Sequence, residues 1–256
     1  MTSVNFSIPR QPVDWRVVVL DTTASTNDEC RTLGPWEAVQ ALRQSAGRGR
    51  RGRKFACGPG GLWISANIPS TGLDLRGAAL HVGVALQSAL RPVAELSLRW
   101  PNDLLLHGKK VAGLLLENFG GGCLTIGLGL NVRNEPWIEM PDLAGTATNL
   151  AALGEPPPLE GLRMSALNAF AVAFSRIRES GLAGAVADWN HAARLPRRVG
   201  LALRSGVTIR GSFQGLECDG DLRVLEDSGE LRIVPHEDVE RLHQEINLLD
   251  NDRPKT

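Results

Sequence analysis

Short apolar or alternating runs dominate the chain, and helical spacing is confined to a few stretches. Trp15–Leu20, Val39–Leu42 and Leu62–Ile68 (LWISANI) read as strands. Thr23 to Glu29 reads as a helix start, because Ser25 with Asp28, or Thr26 with Glu29, matches a capping box. Ala78–Leu90 carries apolar residues at helical spacing and stops near Pro92. Leu96–Leu106 and Val111–Glu117 predict a hairpin turning at His107–Lys110. Pro101 lacks a backbone donor, so a bulge or sheet edge is expected there. Gly120-Gly121-Gly122 turns the chain into an apolar strand from Cys123 to Asn131. Arg133 to Pro158 is proline-rich and predicts irregular structure, with a helical turn near Leu150. Arg163–Ser180 predicts an amphipathic helix and Ala185–Ala193 a shorter one.

From Val199 the pattern changes to short alternating strands separated by Ser205-Gly206, Asp219-Gly220 and Ser228-Gly229. Such turns predict a small antiparallel barrel of about fifty residues. The expected organisation is a tail (1–14), a large domain (15–195), the barrel (196–247) and a polar tail (248–256). The fold class is α+β, with a mixed or antiparallel sheet flanked by helices and a small β-barrel after it.

The 256 residues include 28 basic and 28 acidic side chains, so the formal net charge is zero. Proteins that grip a nucleic-acid polymer generally carry a basic excess; any cationic cluster here is therefore a local device, and no nucleic-acid partner is expected. At 43% hydrophobic the chain can bury a sizeable core. Cys30, Cys57, Cys123 and Cys218 form no CxxC pair, which argues against a zinc knuckle or disulfide framework and fits a reducing cytosol. Cys57 reads as an incidental small residue rather than a reactive thiol. The five histidines have no metal-ligand spacing. Met1 to Val13 has no apolar core of a signal peptide, and no apolar run is long enough to span a bilayer. A cytoplasmic protein without a membrane partner is expected.

Chemistry concentrates in three clusters. From Arg48 to Lys54 five of seven side chains are cationic, in the run Gly47-Arg48-Gly49-Arg50-Arg51-Gly52-Arg53-Lys54-Phe55. Glycine permits close backbone approach, successive N–H groups form an anion-binding concavity, and arginine supplies planar forks for phosphate oxygens. Unliganded, such a loop would repel itself and stay mobile. The second cluster is Arg99-Trp100-Pro101-Asn102-Asp103, with Lys110 returning toward it across the hairpin. An Asn–Asp pair beside a lysine suits a magnesium–phosphate site, although a hairpin with a polar tip is an equal reading of those residues alone. The third is Gly127-Leu-Gly-Leu-Asn131, whose small residues would let a ligand approach the backbone.

In this order, Ser25-Thr26-Asn27, the Gln44 to Phe55 segment, Gly60-Gly-Leu-Trp-Ile-Ser65, Arg99 to Asp103, Lys110-Val-Ala-Gly113 with Glu117, and Gly127 to Asn131 resemble the biotin–protein ligases. The resemblance runs from about Trp15 to Leu195 and more faintly through the barrel. It implies a class II synthetase-like catalytic domain followed by an SH3-like barrel. The implied reaction consumes ATP and biotin as substrates, with Mg²⁺, and needs no tightly bound prosthetic group. Biotin's carboxylate attacks the α-phosphate to give biotinyl-5′-AMP, and a lysine of a biotin carboxyl carrier domain of a biotin-dependent carboxylase then takes the acyl group.

By the same resemblance, Ser25, Thr26, Asn27, Gln44 and the backbone at Gly47 would hold biotin's ureido ring. Arg48, Gly49, Arg50, Arg51, Gly52, Arg53, Lys54 and Phe55 would order around the carboxylate and phosphates, with Arg48 and Arg50 foremost. Lys110 would contact both biotin's carboxylate and the α-phosphate. Asn102 would support nucleotide binding, Asp103 would hold Mg²⁺, and Asn131 would help close the adenosine pocket. Phe55 stands where many relatives have tryptophan, and Gln214 stands where some place an arginine. The chain begins almost at the catalytic domain, which predicts a ligase without operator binding, as a monomer or weak homodimer. Two rivals make different predictions: a lipoate ligase or octanoyltransferase would activate another acid, and a nucleic-acid-binding module would show strongly salt-dependent binding.

Overall fold

The computed structural model describes residues 13–193, 195 and 197–244. The tails expected from the sequence lie outside them, apart from Val13 and Asp14. The chain divides into two compact units, Met1–Ala185 and Val186–Thr256. No helix among the described residues is long and apolar enough to cross a membrane.

The first unit is built on one mixed sheet of β1 (Arg16–Thr23), β2 (Glu37–Gln44), β3 (Leu62–Pro69), β4 (Ser97–Arg99), β5 (Asp103–Leu106), β6 (Lys109–Glu117) and β7 (Cys123–Leu130). Its strand order is β1-β2-β3-β7-β6-β5-β4, with β1 and β2 parallel and every other neighbouring pair antiparallel. Side chains alternate across a strand, and the β3–β7 register turns that alternation into two different faces. Trp63, Ser65 and Asn67 stand opposite Gly129, Gly127 and Thr125 on one face. Leu62, Ile64, Ile68, Ile126, Leu128 and Leu130 occupy the other face and are all buried. Each fully buried aliphatic side chain of this kind contributes about 1.5–3 kcal/mol. The first face is small and polar, and it is the one that can receive a ligand.

Three helices accompany this sheet: the single turn α1 (Thr26–Glu29), α2 (Ala78–Ala89) and the short α3 (Pro136–Glu139). α2 packs across β4, β5 and β6. A long helix, α4 (Leu159–Ala192), follows and breaks at Gly181, whose φ of 51° and ψ of −147° no helix contains. Within 159–180 the buried residues Leu162, Ala166, Phe170, Ala173 and Ile177 recur at helical spacing. Phe174 stands edge-on to Trp36 at 5.0 Å.

Two sequence expectations change. Residues 96–106 are not one strand: the chain reverses at Trp100–Asn102, separating β4 from β5, because Pro101 has no N–H to give a ladder. β4 is consequently the sheet edge. The capping box after Thr23 does not form either. Ser25 makes no side-chain cap, and α1 is only four residues long, because its polar side chains are taken by partners elsewhere in the chain.

The second unit is a five-stranded antiparallel sheet of β8 (Arg197–Leu203), β9 (Thr208–Leu216), β10 (Leu222–Glu226), β11 (Leu231–Val234) and β12 (Val239–Gln244), in the order β11-β10-β9-β8-β12. It curls like a small barrel around Val199, Leu201, Ile209, Phe213, Leu222 and Val224. Gly206, Gly220 and Gly229, at φ of 85°, 93° and 89°, make the turns expected of them. Trp189 packs on Phe213 at 5.8 Å, and Asn190 bonds both N–H and C=O of Leu216 at 2.8 Å. Gln214 donates to the Ser212 hydroxyl at 3.1 Å.

Candidate active site

Because β1 and β2 are parallel, the chain leaves both at the same edge of the sheet. The turn after β1 supplies Ser25, Thr26 and Asn27, and the segment after β2 supplies the arginine run. They are laced together from the start: Ser45 and Ala46 donate their N–H groups to the carbonyls of Thr23 and Ala24 at 2.9 Å.

Thr26 and Asn27 are buried polar residues on the small-residue face, and their bonds fix them there. The Gln44 carbonyl oxygen accepts from the Thr26 N–H at 2.7 Å and from its hydroxyl at 3.1 Å. Thr26 Oγ1 also lies 2.7 Å from the Ser65 hydroxyl. Ser65 donates to Asn27 Oδ1 at 2.5 Å, and Asn27 Nδ2 donates to Glu117 at 2.7 Å and to the Leu115 carbonyl at 3.3 Å. This network needs Gly127, since a Cβ there would strike the Asn27 amide.

The arginine run forms a closed hairpin. Arg48 pairs with Lys54, Phe55 N–H donates to the Gly47 carbonyl at 3.0 Å, and Arg50–Gly52 make a tight turn. Arg51 and Gly52 adopt left-handed φ of 59° and 70° at its tip. Arg50, Arg51, Arg53 and Lys54 are exposed. Arg48 is not; it meets Asp28 through both of its terminal nitrogens and Glu117 through one of them. The loop's self-repulsion is thus relieved at its root by two carboxylates. Beneath it Cys57 is buried, which pushes its thiol up to about 12 despite a 3.0 Å contact from Gln44 Nε2. It is packing, as the sequence suggested, and Gly47 has no room for a side chain against it.

Phe55 carries the hairpin back over the sheet. Its ring lies edge-on to Trp63 at 6.0 Å and rests above the paired Gly113 and Gly129. A Cβ on Gly129 would come within 2.7 Å of that ring, and one on Gly113 within 3.1 Å. Gly127 and Gly129 lie two residues apart on β7, about 7 Å along the strand. Asn27 seats on the first and the Phe55 ring on the second, and the strip of small-residue face between them is the candidate ligand trough.

Lys110 closes the Phe55 end. Its Nζ is 5.3 Å from the ring centroid and 2.7 Å from Asp103 Oδ1. Arg99 takes the other Asp103 oxygen at 2.6 Å. Burial by itself would raise the Asp103 carboxyl, but Lys110 and then Arg99 outweigh it and hold it below the usual carboxylate range. The backbone of Lys110 is fixed by the 146–148 segment, accepting from Thr148 at 2.8 Å and donating to Thr146 at 2.9 Å.

The remaining expectations fare differently. Asp103 does not fit a magnesium ligand here, because each oxygen already faces a cation; nor does any group of three acidic, histidine or cysteine side chains gather among the described residues. Asn102 spends its amide nitrogen on the Leu114 carbonyl at 2.5 Å. Asn131 donates to the Thr148 carbonyl at 2.9 Å and accepts from Asn134 at 3.0 Å, so its amide ties down the connection after β7. Sequence reasoning gave Asp28 only a capping role and assigned Ser65 and Trp63, though part of the resembling Gly60–Ser65 segment, no place in the site. The alternation of LWISANI would have placed the last two on one face.

A model of the biotin/lipoate A/B protein ligase family matches residues 19–131, which hold every element of the trough. The biotin–[acetyl-CoA-carboxylase] ligase of Paracoccus denitrificans is 32% identical over 242 residues, covering 86% of this chain and 98% of that one. The chain belongs to the biotin–protein ligase family. The bifunctional ligase/repressor BirA of Escherichia coli is 28% identical over 82% of this chain and 70% of its own length. Among solved structures, the biotin protein ligase from Aquifex aeolicus in complex with biotin and ATP superposes with a TM-score of 0.77 at 25% identity, covering 90% of this chain and 99% of that one. This ligase therefore shares its architecture with a relative seen holding both small substrates.

Proposed function

We propose that this chain activates biotin with ATP and transfers it to a lysine of a biotin carboxyl carrier protein, using the trough on the small-residue face. The observation that carries the reading is the trough itself: a polar socket at Asn27 and a lysine at the other end, roofed by a cationic hairpin. A bicyclic urea with a short acyl tail has that sequence of demands: hydrogen bonds, then a slim channel, then positive charge.

In the first step biotin's carboxylate oxygen attacks the α-phosphorus, the bond to the bridging oxygen breaks, and pyrophosphate leaves. Such displacement depends on positioning and on neutralising charge. Lys110, held beside the trough by Asp103, would meet the carboxylate and α-phosphate, and Arg50, Arg51, Arg53 and Lys54 would meet the phosphates. Thr26, Asn27, Gln44 and Ser25 would surround the ureido ring. Magnesium enters with ATP as part of the substrate. In the second step the carrier lysine's amine attacks the acyl carbon, an amide forms, and AMP departs. The mixed anhydride is labile to water, so a roof that closes over it also preserves it.

ATP–pyrophosphate exchange driven separately by biotin, lipoate and octanoate tests the reading, followed by transfer of labelled biotin to a purified carrier domain. Exchange with biotin and ATP-dependent labelling are expected; exchange stimulated only by lipoate would overturn the assignment.

A further inference from the structure

Asp28 holds the arginine hairpin to the turn that carries the biotin-facing residues. Arg48 Nη1 lies 2.6 Å from Asp28 Oδ2, and Nη2 lies 2.9 Å from Asp28 Oδ1, a fork against a fork. The same Nη2 lies 2.9 Å from Glu117 Oε2, so both of its hydrogens are used. That Glu117 oxygen also accepts from Asn27 at 2.7 Å. Arg31 approaches Asp28 from the other side, with Nη2 at 2.9 Å from Oδ1, and is itself covered by the Phe119 ring at 4.3 Å. Two guanidinium groups thus face two carboxylates. The Arg48 side chain is only 24% exposed, against 38% for Asp28 and 26% for Glu117. Bidentate pairs between partly desolvated groups are stronger than ordinary surface ion pairs and also fix geometry.

This arrangement separates Arg48 from the exposed cations further along the hairpin. An arginine so engaged cannot also turn its fork to a phosphate. We infer that Asp28 and Glu117 form a carboxylate clasp that seats Arg48, and through it the root of the hairpin, against the biotin end of the trough. Arg48 is then a positioning residue. The clasp shares Glu117 with Asn27, so occupancy of the polar socket and seating of the hairpin are one linked event. The inference rests on the ligase reading above.

The full chain with Asp28→Asn tests it, since the amide keeps the shape and removes the charge. The apparent KM for biotin and the dissociation rate of biotinyl-adenylate should each rise about tenfold, worth about 1.4 kcal/mol. The single-turnover adenylation rate at saturating biotin and ATP should stay within about twofold, a split that separates placement from chemistry. Asp28→Glu should restore most of the loss. Arg48→Lys should reproduce the direction of the Asp28→Asn phenotype, and the double variant should lose clearly less than the sum of the two single ones, because both weaken the shared Asp28–Arg48 pair. Should Asp28→Asn fail to fold, Arg48→Lys and Glu117→Gln carry the same KM-against-rate measurement. A fall in saturated rate with unchanged KM, additive losses in the double variant, or wild-type behaviour of Asp28→Asn would each overturn the clasp. Wild-type chain that shows no biotin-dependent exchange would instead overturn the ligase reading, and the clasp with it.

Discussion

Lys110 sits between the Asp103 carboxylate at 2.7 Å and the Phe55 ring. That setting gives it charge, direction and a partly dry neighbourhood at once. Lys110→Ala should slow single-turnover adenylation by about 10²–10³-fold, the range for removing one preorganised electrostatic stabiliser. Biotin affinity measured by calorimetry should fall much less; an equal loss in both would show that Lys110 only binds. Asp103 sets the pH dependence of this arrangement. Its carboxyl is lowered from an ordinary value of 3.8, so the stability it contributes is present above that value and lost as pH falls through the lowered one. Between about pH 5 and 9 its charge is constant, and any acid limb of activity in that window must come from another group. The thiols give a second residue-scale test. Burial pushes Cys30 and Cys57 up to about 12 and raises Cys123 as well, whereas Cys218 is exposed. In the folded protein one of the 4 cysteines, Cys218, should react promptly with a thiol reagent at neutral pH. Fast modification of Cys57 would contradict the packing under the hairpin.

The decisive elements are β6 and β7, whose glycines seat Asn27 and Phe55 at the two ends of the trough. Gly129→Ala places a methyl within 2.7 Å of the Phe55 ring. Overpacking of this kind costs about 1–3 kcal/mol, and the ring or the ligand must give way. Biotin affinity by calorimetry should fall at least about tenfold, which about 1.4 kcal/mol produces. Gly161→Ala, where an added Cβ meets nothing within 4 Å, is the control. Strands β2, β3 and β7, helix α2, and the glycine turns of the second unit were legible because their signals are local: apolar runs, helical period, Ser-Gly and Asp-Gly pairs. The site residues were legible through a resemblance that spans six separated segments. What stayed hidden is non-local. Ser25 to Glu29 looks like a capping box in isolation, yet Thr26 bonds Gln44 and Ser65, and Asp28 bonds Arg48. Tertiary partners 18 to 39 residues away along the chain outweigh a local cap. Likewise, Leu96–Leu106 reads as one apolar run, and only its pairing shows that β4 folds back on β5.

Across the whole molecule, the trough and every residue assigned to it belong to the Met1–Ala185 unit. A ligand that ties the hairpin to the sheet binds the folded state alone, and linkage then raises the melting temperature. At about one hundred times its Kd a stable adenylate analogue should add about 2.7 kcal/mol, or about 5–10 °C for a domain of this size. Hydrogen exchange should show the added protection in residues 23–29 and 44–55. Protection confined to the Val186–Thr256 unit would place the ligand elsewhere.

The parallel pairing of β1 with β2 has a consequence for synthesis. The turn with Asn27 and the whole arginine hairpin are complete in sequence once Phe55 is made, and the parallel pair that brings them to one edge needs nothing later in the chain. Their floor does not exist yet. β3 must wait for β7, which pairs Leu62 with Leu130 and Pro69 with Cys123, so about half of the chain must be translated before the trough has a bottom. Until then the nascent chain carries a cluster of arginines with no carboxylate at Glu117 to complete their seat, a short-lived polycation that becomes a selective roof only when the last central strand arrives.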